Sequence, residues 1–260
     1  MLSRRSFFQR LLANGEARRF LLNSLAVGEA ESAVDLDRVA DHVPDPVLAR
    51  RIYRHYAEEL RHARAFRRHL ESEGFSCVPL PPELDYERLA QRFGMGTPKT
   101  RLDDPRPFDD DDLILFFAGS KAGEERACQE MEGLIRDLAA DAPTAELLRS
   151  IHSDELRHVA YATAALGELA ARCGRRRVVR VLRAARRAEA RAHRIVSRAF
   201  MGRLLGMLGV VRPIRAAAGL AIDFGCAARW LFPGGLDEPR IADPMPVPSR
   251  ERHRAARGTP

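Results

Sequence analysis

Apolar residues recur at intervals of three and four along most of the chain, and the pattern breaks only where proline or glycine intervenes. Leu22, Leu25, Ala33 and Leu36 form one stripe, and Ile52, Tyr56, Phe66 and Leu70 a second. Leu115, Ala118, Ala122, Ile135 and Leu138 form a third, and Leu148, Ile151, Ala162 and Leu169 a fourth. That periodicity places each set on one side of a helix. Boundaries follow from local chemistry. A short amphipathic helix at residues 3–13 precedes a long one at 15–41 capped by Asn14, and Pro44 and Pro46 separate this from a second long helix at 45–73 closed by Gly74. The Pro- and Gly-containing stretch 74–108 holds one short helix at 85–93 and can cross the length of a bundle. Asp109-Asp110-Asp111-Asp112 supplies an N-cap and an acidic first turn to a third long helix reaching Asp141, and Pro143 opens a fourth that ends near Arg172, before Gly174.

An arginine-rich helix at 175–200 follows, then broken apolar helices to Phe232 and a Pro-rich tail. The predicted fold is all-α: an antiparallel four-helix bundle with a long crossover between its second and third helices and additional C-terminal helices. It divides into an N-terminal segment at 1–14, the bundle at 15–172, a helical extension at 173–232 packing on the bundle, and the tail at 233–260. The extension has no apolar run near the roughly 20 residues that span a bilayer. It reads as a cover over the bundle or a homodimer contact, not as an anchor.

Chemistry enters through an internal correspondence. Glu29 stands 30 residues before Glu59, and Glu125 stands 30 before Glu155. Each second glutamate begins a Glu-x-x-His element, Glu59-Leu60-Arg61-His62 and Glu155-Leu156-Arg157-His158, and one offset of 96 residues relates all members. Residues three apart on a helix point to one side, so the folded pairs bring four carboxylates and two imidazoles to one depth inside apolar stripes. Charges placed there require metal or pairing partners, and four carboxylates match two divalent ions. Glu124 is the alternative to Glu125, and Glu31 or Asp35 to Glu29, but none keeps both the spacing and the offset. Tyr56 and His152, each three residues before a ligating glutamate, are candidates to support the site from outside the ligand set. Glu58 and Asp154 are candidates to orient a histidine across the bundle, although a neighbour in sequence ordinarily points away.

The two Glu-x-x-His elements, each with an upstream glutamate, resemble the ligand pattern of ferritin-like di-iron carboxylate proteins. The resemblance covers about residues 15–172. It implies a ferritin-like bundle in which Glu29, Glu59, His62, Glu125, Glu155 and His158 are metal-binding and catalytic, holding two iron ions or a manganese/iron pair. It further implies an oxidoreductase that uses dioxygen and an electron donor to oxidise or hydroxylate a small or apolar organic substrate. Iron oxidation, storage or peroxide detoxification is the alternative use of such a bundle. A third class is a non-enzymatic helical binding protein.

Charge and cysteine usage narrow these readings. The formal charge is +7, and residues 175–198 contain ten arginines against one acidic residue, Glu189. That segment reads as a solvated helix face, with an acidic carrier, not nucleic acid, as the partner it would suit. Cys77, Cys128, Cys173 and Cys226 form no Cys-x-x-Cys pair, which argues against a rubredoxin-type or thioredoxin-type centre. Ser3-Arg4-Arg5-Ser6-Phe7-Phe8 resembles a twin-arginine export signal, but Arg10, Glu16, Arg18 and Arg19 interrupt the apolar run that should follow. The chain is therefore expected to stay in the cytoplasm.

Overall fold

The computed structural model describes residues 4–231, so the Pro-rich tail lies outside the described residues. The helices are α1 (Arg4–Ala13), α2 (Gly15–His42), α3 (Pro46–Ser72), α4 (Tyr86–Arg92), α5 (Lys99–Leu102), α6 (Asp110–Asp137), α7 (Ala142–Cys173), α8 (Arg175–Met207) and α9 (Arg212–Leu231). The starts are chemically marked. The Asn14 side chain accepts from the Ala17 N–H at 3.0 Å. Asp45 accepts from the N–H groups of Val47 and Leu48, with Pro46 in the first turn. Asp109 and Asp112 cap each other's backbone reciprocally, so the four-aspartate run is a helix start.

α2 and α3 form one tightly packed hairpin and α6 and α7 another. The Phe108 N–H donates to the His42 carbonyl at 2.8 Å, which sets the start of α6 beside the end of α2 and makes these helices antiparallel. The intervening chain is thus the long crossover, and its α4 packs between α8 and α2. α8 lies along α6 and α7, and α9 packs on α8. Three boundaries differ from the sequence reading. α6 ends at Asp137, not Asp141. α8 runs beyond Phe200 to Met207 because Leu204 and Leu205 continue its apolar stripe into the core beside Leu11. The expected broken helices are instead one helix, α9, after a turn where Gly209 has φ +71°. No helix among the described residues is long and apolar enough to cross a membrane.

The buried side chains separate into two apolar clusters. One holds Leu36, Ile52, Phe117, Ala122, Ala162 and Leu166 and continues into Val178 and Leu182 of α8. The other holds Leu22, Ala26, Phe66, Met131, Leu148 and Ile151. On each long bundle helix the sequence between these clusters contains a carboxylate, so a polar layer crosses the middle of the core.

Close packing of the crossover depends on Gly119 of α6. A Cβ there would sit 2.8 Å from both Cα and N of Gly96, whose own φ is +73°, so backbone meets backbone. Gly123, one turn further on, would meet nothing within 4 Å. Gly119→Ala is therefore expected to destabilise the fold by about 1–3 kcal/mol through overpacking. Gly123→Ala should be neutral or stabilise by about 0.5–1 kcal/mol through helix propensity. Urea denaturation of the two variants checks the contrast.

Candidate metal centre

The polar layer is built from all four bundle helices. α2 supplies Glu29, α6 supplies Glu124, and α7 supplies Glu155 and His158. α3 supplies His55, Glu59 and His62, which at spacings of four and three occupy one stripe. His55, Glu59, His62, Glu155 and His158 are between 1% and 3% exposed. Among the described residues, two groups bring ligating atoms within 4.8 Å of one another: Glu29, Glu59, His62 and Glu155 in one, and His55, Glu124 and His158 in the other.

Glu155 and Glu59 join the two groups. Glu155 turns Oε1 toward His62 Nδ1 at 3.2 Å and Oε2 toward His158 Nδ1 at 3.1 Å. Glu59 Oε1 lies 3.3 Å from His55 Nε2 and 3.4 Å from His158 Nδ1. Glu29 Oε2 stands 3.4 Å from His62 Nδ1, and Glu124 Oε1 3.2 Å from His55 Nε2. Despite this crowding, His55 Nε2, Glu59 Oε1, His62 Nδ1 and Glu155 Oε1 have no hydrogen-bond partner. Buried polar atoms are normally satisfied. Four orphans, two from imidazoles and two from carboxylates, converging on one space have the donor set of a metal site, and nitrogen with carboxylate oxygen suits iron, manganese or zinc.

The outward ring nitrogens are fixed across the bundle. His62 Nε2 donates to Asp154 Oδ2 at 3.0 Å, and His158 Nε2 to Glu58 Oε2 at 2.9 Å. Each imidazole therefore turns its Nδ1 toward the layer. His55 is held by Nδ1, 2.8 Å from the Tyr161 hydroxyl. Arg61 and Arg157 bind Asp154, and Arg54 and Arg157 bind Glu58, so surface charge anchors the outer carboxylates.

Protonation follows from this packing. Burial, then the charges of Glu29 and Glu155, push Glu59 up to about 8, although His55 opposes the shift. Burial followed by Glu155 and Glu59 holds Glu124 well above the usual carboxylate range. Burial alone would raise Glu155, but His158, His62 and Glu124 beside it outweigh that and hold the group below that range. For His62 burial works downward, yet Glu155, Glu29 and Asp154 push it up to about 11.

Five of the six ligands read from sequence meet in this layer, and Glu125 does not. Glu125 is paired with the buried Lys121 at 2.9 Å and with Arg186 at 2.7 Å, while Glu124 takes the site position. The reason is a turn length. Three residues, 43–45, join α2 to α3, whereas four, 138–141, join α6 to α7. The upstream glutamates are consequently related by 95 residues, the difference between Glu29 and Glu124, as are the preceding Gly28 and Gly123. Tyr56 packs against the apolar core, and His152 lies 3.6 Å from Glu132; neither reaches the layer. The supporting residues are Glu58 and Asp154, together with Tyr161; the sequence reading missed Tyr161 and also missed His55, which joins the ligating groups. The stripe His55-x-x-x-Glu59-x-x-His62 is the signal that would have revealed His55.

A cavity of about 380 Å³ opens from the layer between α2, α6, the crossover and α8. Glu29, His55, Glu59, Glu124 and Glu155 line it, as do Leu21, Leu25, Leu36, Val39, Met95 and Phe116. Glu31, Asp35 and Glu87 also line it. Burial, then Asp35, Glu31 and Asp85, push the Glu87 carboxyl up to about 7. No match to the chain is found among protein-family models, curated proteins or solved structures. Its class is set by geometry: an all-helical bundle with two buried His/Glu clusters able to take a pair of metal ions.

Because the folded Glu87 binds its proton more tightly than the ordinary carboxyl at 4.5, its contribution to stability is present at low pH and lost as pH rises toward 7. Glu87→Gln removes that loss. The variant is expected to gain up to about 3 kcal/mol over wild type at about pH 8 relative to about pH 5, read by urea denaturation at both values.

Proposed function

We propose that the layer holds two iron ions and that the chain is a ferritin-like di-iron oxidoreductase, activating dioxygen to oxidise or hydroxylate a small, largely apolar organic substrate. The convergence of orphaned imidazole and carboxylate atoms on one buried space carries the metal assignment. Glu29, Glu59, His62 and Glu155 would hold one ion, and His55, Glu124 and His158 the other, with Glu59 and Glu155 in reach of histidines of both groups. Four carboxylates balance two divalent charges, and a manganese/iron pair fits the same donors. Two ferrous ions bound there would supply electrons for the reduction of dioxygen. An external donor is needed to restore them.

The chain's own residues do the rest. Asp154 and Glu58 keep the Nε2 protons of His62 and His158 on the outward side, so both rings bind as neutral ligands. Tyr161 fixes His55 likewise. The apolar wall of the cavity excludes water and admits a carbon skeleton beside the layer. Oxidation of iron for storage uses similar ligands but needs no apolar cavity of this size, which favours the organic substrate. Arg177, Arg186 and Arg198 of α8 are engaged with Asp111, Glu125 and Asp223, so part of the arginine-rich face serves to hold helices together. We place the protein in the cytoplasm, because Arg10, Glu16, Arg18 and Arg19 interrupt the apolar run that should follow the N-terminal arginine pair.

Anaerobic loading with ferrous iron is expected to give close to two ions per chain, followed by oxygen consumption in a single turnover. Glu124→Ala should lose at least half of the bound iron and slow oxygen consumption by at least about tenfold. Glu125→Ala should load normally but unfold more readily by about 1–3 kcal/mol, since Lys121 loses its carboxylate partner. Metal analysis and oxygen-electrode traces distinguish the variants. One tightly bound zinc, no second ion and no oxygen reaction in the wild type would refute the assignment.

A further inference from the structure

The cavity is not uniformly apolar. Glu31 and Asp35 lie two and six residues beyond Glu29 on α2, so Asp35 is about 9 Å further along the helix axis than the metal layer. Glu87 faces the same space from α4. Neither lysine nor arginine lines this end: Arg126, the cavity's arginine, is bound through Nε and Nη2 to Glu189 at 2.8 and 3.2 Å. Lys99 is near enough to lower Glu31 and Asp35, but it is exposed and not part of the wall. Arg38, the other cation acting on Asp35, is paired with Asp103 at 2.5 Å. Among the described residues, the side-chain hydrogen bond to these three acids is from Gln91 to Asp35, at 2.6 Å.

A second observation is independent of the carboxylates. Thr97 lines the cavity, is 6% exposed, and its hydroxyl has no hydrogen-bond partner. The Tyr86 hydroxyl, also in the wall, is likewise without one. Buried hydroxyls are ordinarily paired. Hydroxyls without partners, in a cavity that three carboxyl groups also line, mark a place that a hydrogen-bonding cationic group would complete.

We propose that the cavity takes an organic amine, its ammonium group held among Glu31, Asp35 and Glu87 and its carbon body lying along the apolar wall toward the metal layer. A bare divalent ion fits less well. Glu31, Asp35 and Glu87 are not among the groups whose ligating atoms approach within 4.8 Å, and a hydrated ion gains nothing from Leu36, Met95 and Phe116. An ammonium can pair directly with one of these carboxylates while the others act on its charge across the enclosed space, and charge-assisted bonds in such a site are strong. The raised Glu87 carboxyl agrees with this: burial raises it first, and Asp35, Glu31 and Asp85 then add to the shift. The proposal rests on the di-iron reading for the fate of the amine, but not for its binding.

The test is calorimetric titration of the full chain, as isolated and after metal removal, with hexylamine, hexanol and hexanoate. In both forms hexylamine is expected to bind at least tenfold more tightly than hexanol, and hexanoate more weakly than either. Glu87→Gln and Asp35→Asn should each weaken hexylamine severalfold, and together bring it to the level of hexanol, whose own affinity stays unchanged. Both substitutions relieve repulsion, so the fold is retained, which circular dichroism checks. Equal binding of amine and alcohol by the wild type, unchanged amine affinity in the double variant, or displacement of the amine by manganese beyond two ions per chain would each overturn the proposal. Amine selectivity without any oxygen reaction would instead count against the di-iron reading alone.

Discussion

Everything in this bundle is organised around one constraint: carboxylates and imidazoles sit between two apolar clusters, where an uncompensated charge costs several kcal/mol. The protein answers at three depths. Within the layer, burial and like charges push the Glu59 and Glu124 carboxyls up, while the facing imidazoles hold Glu155 down. Outside it, Asp154 and Glu58 accept the imidazole Nε2–H groups. At the surface, arginines neutralise those outer acids. The apolar clusters above and below then fix the helices in register, so the layer stays assembled.

The two halves of the layer are unequal. One group contains three carboxylates and one imidazole, the other two imidazoles and one carboxylate. The inequality comes from His55, which has no counterpart in the second half, where residue 151 is isoleucine. A repeated sequence has therefore produced a pair of positions with different charge and different donors. Only the half nearer His55 is tied through Tyr161 to α7.

Much of this was legible before the structure. The four stripes and their caps gave the bundle, because amphipathic periodicity is a local property. The two Glu-x-x-His elements located the layer, because a spacing of three fixes direction on a single helix. What failed were inferences between helices. Glu125 followed from an offset held constant across both hairpins, and one extra residue in the turn before α7 rotated the register to Glu124. Glu58 and Asp154 looked peripheral by the rule for adjacent residues, but a step of about 100° around the helix turns them toward the facing helix, not toward solvent. The cavity was beyond reach, since it depends on where the irregular crossover comes to rest.

That resting place is determined by Gly119 and Gly96, whose backbones touch. The gap beneath the crossover is thus gauged by main-chain atoms, which cannot be trimmed or enlarged one methyl group at a time. Exchange among Leu21, Leu25, Leu36 and Phe116 can lengthen, shorten or reshape the space, yet its ceiling height near the polar layer is held by two positions without side chains. Re-engineering this pocket for bulkier molecules would accordingly find its hard limit at the pair of residues that a survey of lining side chains overlooks.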